Sequence, residues 1–145
     1  MSAEPGSKLR VLFDLNVILD VLARRQPHYP DAARVWGYVE SGHMEGLLAA
    51  HSVTTLFYLL HRHLGLSQAK TALHDVLRVF RVAAVDQAVI QAALILDWND
   101  FEDAVQATAA AASEAVYLIT RDETDFAGGP VPVVHPANFP ALARP

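Results

Sequence analysis

The chain has 145 residues, about half of them apolar, which suits one domain with one core. It has no cysteine, so disulfides and thiolate metal sites are excluded, and no apolar run approaches the length of a membrane span. The formal net charge is −5, with only two lysines, Lys8 and Lys70, so bulk positive charge cannot draw in nucleic acid.

Residues 1–8, rich in Gly, Ser and Pro, read as a frayed tail without the apolar core of a signal peptide, and residues 9–145 as a single domain. A soluble, cytoplasmic protein is expected. A short apolar run at 9–13 predicts a buried strand, with Asp14 at its end. Residues 16–25 predict a helix ending near Pro27, and 31–41 a second, stopped by Gly42. Residues 45–50 fit a strand. Ser52 is placed as the N-cap of a helix to 64, with Gly65 just past its end. A helix is predicted over 67–80, a short strand over 81–85, and a helix capped by Asp86 up to about 98. An alanine-rich helix follows over 100–113. The stretch 116–120 (VYLIT) is the clearest strand, and Gly128, Gly129 and Pro130 turn the chain into a last strand over 131–134. Strands alternating with helices imply a parallel sheet of four to five strands covered on both faces, α/β/α. Ligands of such sheets bind beyond the carboxyl ends of the strands.

That rim collects acid. Asp14 ends the first strand; Asp122 lies just past VYLIT, with Asp125 three residues on. Helical spacing puts Asp103 on one stripe with Ala107 and Ala110, and Asp100 one turn earlier near the same side. Several carboxylates at one rim repel each other unless a cation intervenes, and carboxylate oxygens suit Mg²⁺ or Mn²⁺. Asp14, Asp103 and Asp122 are therefore expected to converge within one coordination sphere. Each also has a plain structural reading: Asp14 as a cap or turn residue, Asp103 as the partner of an arginine, Asp122 and Asp125 as turn residues. Asp20 and Asp97 are expected to face solvent. The seven histidines are scattered; His61 and His63, at i and i+2, do not face one site. The apolar run 57–60 reads as core or dimer surface.

The string VLFDLNVILDVLARR resembles the opening of PIN domains, in which a strand ends in Asp-x-Asn and runs into a helix. DFEDAVQATAAAASEAVYLITRDETDF is similar to their second half: an Asp on a helix, a strand, then Thr-x-Asn/Asp and an Asp-Phe pair. The resemblance spans about residues 9–139. It implies a parallel sheet between helices and a Mg²⁺- or Mn²⁺-dependent ribonuclease. Small bacterial members are often toxins of the VapC type, held by an antitoxin and forming dimers. By this resemblance Asp14, Asp103 and Asp122 are the catalytic and metal-binding acids, with Asp125 and Asp100 as further ligands. Asn16, Thr55 and Thr120 support them. Arg24, Arg25, Arg62 and Arg121 flank these segments and are the expected RNA phosphate contacts.

The sequence departs from the family pattern in AHSVTTLFYLL, where Thr55 stands in place of an expected glutamate. If Ser52 is the N-cap, Thr55 is at N3, a capping-box position. With Thr55 neutral, Asp100 rather than Glu102 is the better substitute ligand. The departure keeps an alternative open: a weak or inactive PIN module that binds RNA or a protein partner. A response-regulator-type phosphate acceptor is disfavoured, because no lysine follows the last strand, where His135 and Pro136 stand instead.

Overall fold

The computed structural model describes residues 8–140. The tail assigned to 1–8 therefore lies, save for Lys8, outside the described residues, as do 141–145. Five strands, β1 (Leu9–Phe13), β2 (Met44–Ala49), β3 (Arg81–Ala83), β4 (Tyr117–Ile119) and β5 (Val133–Val134), form one parallel sheet in the order β3-β2-β1-β4-β5. Six helices flank it: α1 (Leu15–Leu22), α2 (Tyr29–Glu40), α3 (Ala50–Leu64), α4 (Leu66–Val79), α5 (Gln87–Leu96) and α6 (Phe101–Ala112). No helix is long and apolar enough to cross a membrane among the described residues.

Strand alternation divides the core. Val11, Phe13, Leu48 and Ile119 face the layer of α1 to α4, while Leu12, Leu47, Ala49 and Leu118 face α5 and α6. On the first face Phe80 packs edge-on against Phe13 and Trp36, each with ring centroids 4.9 Å apart. Gly46 makes room for this: a Cβ there would lie 2.6 Å from the Phe80 ring. The alanines of α6 are small for the same kind of reason, since Ala104, Ala107, Ala109 and Ala110 are all buried.

The predicted elements are present, with shifted ends. α1 stops at Leu22, ahead of Arg24, which takes a positive φ of 49°. α2 starts two residues earlier than expected, with Pro30 in its first turn. Ser52 is not an N-cap. β2 runs straight into α3, so Ala49 takes the cap position without a side-chain bond, and Ser52 is buried inside the helix. Thr55 is thus well past N3. Asp86 does cap α5, accepting from the Val89 amide at 3.0 Å. Two short 3-10 turns, Glu123–Phe126 and Pro136–Asn138, complete the chain.

The order of strands sets the site. From β1 the chain moves outward to β2 and β3, then returns to build β4 and β5 on the other side of β1. The switch point lies between the carboxyl ends of β1 and β4, where adjacent connections leave on opposite faces and open a crevice.

Candidate active site

Asp14 stands at that crevice. Its amide donates to the Ile119 carbonyl at 2.9 Å, which locks the end of β1 to the end of β4. Strand parity turns its side chain toward α6. Asp14 occupies the N-cap position of α1, but its side chain makes no capping bond. It accepts instead from Thr120 Oγ1 at 2.9 Å and from Gln106 Nε2 at 3.3 Å. Thr120 is fully buried, and its Oγ1 in turn accepts from the Asp122 amide at 3.0 Å. One hydroxyl therefore ties both acidic positions together. Burial raises the pKa of Asp14, against the lowering effect of the Thr120 and Gln106 bonds and the Asn16 backbone amide; the neighbouring Asp122 charge raises it further.

Asp103 sits in the first turn of α6, half-buried. Its pKa is raised to about 7, first by loss of solvent and then by Asp100, Asp14, Asp125 and Asp122. The five predicted acids thus share one neighbourhood. Asp100 does double duty as the N-cap of α6, accepting from the Asp103 amide at 3.1 Å. None of the five forms an ion pair with a lysine or arginine among the described residues. Beside them lies a cleft of about 470 Å³, lined by Trp98, Asn99, Asp100, Asp103, Thr124 and Asp125 among others.

The expected tight convergence is not seen. Among the described residues, no three acidic or histidine side chains stand close enough to form a ready-made metal cage. Like charges oppose that approach, and Asp14 and Asp100 are already held by other bonds. The donor set still fits a hard divalent ion: uncompensated carboxylates, plus one orphaned oxygen. Gln106 is buried, and its Oε1 has no hydrogen-bond partner among the described residues. A buried carbonyl oxygen without a donor is costly unless water or a cation meets it.

Gln106 was missed in the sequence, although it lies one turn after Asp103 and interrupts an alanine stripe, which was the available signal. His51 was missed too. It reaches across from the first turn of α3, with Nε2 3.1 Å from the Glu102 carbonyl. Its Nδ1 is buried without a partner. Thr55, one turn beyond His51, is half-buried and bonds only back to the His51 carbonyl, at 3.4 Å. Helical spacing thus keeps position 55 on the face that meets the start of α6.

The expectation that Asp20 faces solvent is overturned. Asp20 is fully buried, because Arg25 and Arg121 enclose it. Arg121 donates side-on, Nε at 2.6 Å and Nη2 at 3.3 Å. Arg25 Nε lies 2.9 Å from Oδ1, the oxygen that Arg121 Nη2 also meets, without hydrogen-bond geometry, and its Nη2 donates to the Asn16 carbonyl at 3.1 Å. Asp97 is exposed as expected, in a left-handed turn with φ 56°. The four arginines do not form one surface. Arg25 and Arg121 are engaged with Asp20, and Arg24 lies over the Tyr29 ring at 5.9 Å. Arg62 is exposed and sits about twelve residues into α3, ~18 Å from its start at the carboxyl rim.

The chain is a parallel α/β/α domain with an acidic rim at its switch point that has no cationic partner among the described residues. The chain belongs to the PIN domain family, whose model matches residues 10–124. No curated protein matches the sequence. Solved structures with the same fold include a toxin–antitoxin complex from Klebsiella pneumoniae, 21% identical with TM-score 0.68, covering 89% of this chain and 99% of that one. FitAcB from Neisseria gonorrhoeae is 22% identical with TM-score 0.65, over 89% and 99%. Mycobacterium tuberculosis VapC20, a toxin that cleaves the sarcin-ricin loop, is 18% identical with TM-score 0.60, over 74% and 86%.

Proposed function

We propose that this PIN domain is a divalent-metal-dependent ribonuclease, the toxin of a toxin–antitoxin pair. The observation that carries the reading is the cluster of Asp14, Asp100, Asp103, Asp122 and Asp125 at the switch point, with no cationic partner among the described residues. Asp14, Asp103 and Asp122 would hold Mg²⁺ or Mn²⁺, with Asp125, Asp100 and the oxygen of Gln106 as further candidate donors. Such an ion supplies the positive charge that this acidic protein lacks, for a phosphodiester oxygen and for acidifying an attacking water. The chain's own residues prepare the place. Thr120 and Gln106 hold Asp14 in one orientation, Thr120 fixes the backbone at Asp122, and His51 with Asp100 anchors the turn that carries Asp103. The antitoxin partner rests on the likeness to a toxin–antitoxin complex.

Cleavage of a structured RNA mixture by purified protein, with Mn²⁺, Mg²⁺ or EDTA, tests the reading. Cutting that needs metal and is lost in Asp14→Asn and Asp103→Asn supports it. The neutral Thr55 favours a second reading, a PIN module that binds RNA without cutting. Metal and RNA binding with no cleavage by wild type would establish that reading instead.

A further inference from the structure

A second pocket, of about 240 Å³, opens at the carboxyl ends of β4 and β5, on the far side of the Asp122 turn from the acidic cleft. Pro27, His28, Asp31, Arg121, His135 and Pro136 line it. It is smaller than a typical cofactor or drug-sized site, so it suits a small group. Three features suit it to an anion.

The first is His135. Its Nδ1 accepts from the Ala137 amide at 3.0 Å, so the neutral ring must carry its proton on Nε2. That ring is a fixed donor. The second is Arg121. Its side-on pair with Asp20 uses Nε and Nη2 and leaves Nη1 over. Because Arg25 also meets Asp20, two guanidinium groups share one carboxylate, and the trio keeps one positive charge in excess. The third is α2, twelve residues long, whose first turn with His28 and Asp31 faces the pocket. Arg34 donates to the Pro136 carbonyl at 2.8 Å and to Phe139 at 3.2 Å, which fixes the His135 segment against α2. Asp31 is an acceptor among donors. A bare phosphate leaves it opposed; a ribose-phosphate gives it a 2′-hydroxyl to accept from.

We propose that this pocket binds one ribose-phosphate unit of an RNA strand, the phosphate on Arg121 and His135 and the 2′-hydroxyl on Asp31. Arg121 immediately precedes Asp122, so the unit would lie next to the acidic rim. The choice of ligand rests on the ribonuclease reading; the anion site does not.

The test uses the full chain in EDTA, so that RNA stays intact. Fluorescence anisotropy compares one labelled oligonucleotide as RNA and as DNA, with wild type, His135→Asn and Asp31→Ala. Asn at 135 can still accept the Ala137 amide but cannot reach the phosphate. His135→Asn should weaken RNA binding roughly tenfold, the loss of one hydrogen bond to a charged group. Asp31→Ala should narrow the preference for RNA over DNA several-fold. Separately, inorganic phosphate titrated into wild type should shift the His28 and His135 ring resonances saturably and leave His74 unmoved. Phosphate binding there with unchanged RNA affinity in His135→Asn would mark a free-phosphate site and overturn the strand assignment. No shift and no loss of RNA affinity would overturn the site altogether. If these losses appear but wild type with Mn²⁺ cuts no RNA, the nuclease reading fails while the subsite stands.

Discussion

Asp103→Asn should stabilise the metal-free protein and remove the Mn²⁺ binding proposed for the site. Asp103 has a folded pKa of about 7 against an ordinary 3.8, raised by burial and then by four neighbouring carboxylates. A raised acid pKa means that the folded state binds the proton more tightly than the unfolded chain does. The cost of ionising Asp103 in the fold is therefore absent below about pH 4, grows as pH rises, and is complete above about pH 7. Three pKa units correspond to a ceiling of about 4 kcal/mol. Asp103 is only half-buried, and solvent screens part of this, so about 1–2 kcal/mol is the expected gain at pH 8. Its carboxylate accepts no hydrogen bond among the described residues, so Asn loses none there. The melting temperature in EDTA at pH 8 should rise by about 3–8 °C. The gain over wild type should shrink to little near pH 4. Calorimetry with Mn²⁺ should meanwhile show binding lost. An Asp103→Asn protein that melts below wild type at pH 8 in EDTA would refute the claim that repulsion and burial strain this site.

Other perturbations test separate parts of the structure. Asp20→Ala strands Arg25 and Arg121 around an empty position and should cost about 3–5 kcal/mol, read by urea unfolding; a loss below 1 kcal/mol, set as a rough threshold, would show the trio to be solvated. Gln106→Leu removes a donor that favours ionised Asp14 and also the orphaned oxygen. The metal-free fold should hold, while Mn²⁺ affinity falls several-fold and its pH dependence moves upward; an unchanged affinity profile would mean that Gln106 plays no part. Thr55→Glu adds a carboxylate opposite the start of α6, and should tighten Mn²⁺ binding and raise any cleavage rate. If the variant folds normally and both stay the same, position 55 does not reach the site.

The alternation of apolar runs with helical periodicity was enough to read five strands and six helices, because a parallel sheet buried on both faces demands continuous apolar strands such as 9–13 and 116–120. The same logic marked Asp14 and Asp122 as strand-end acids, and the small stripe of α6 marked Asp103. Local capping chemistry was legible at Asp86, but it misled at Ser52, where β2 runs directly into α3 and leaves no cap to make. Periodicity and strand ends were enough to give the elements and the acids of one rim. Which groups restrain those acids depends on the assembled fold. Thr120 and Gln106 meet Asp14 across 106 and 92 residues, and Arg121 meets Asp20 across 101. Such partners are chosen by the order in which strands stack, and no local pattern of charge or polarity encodes that order.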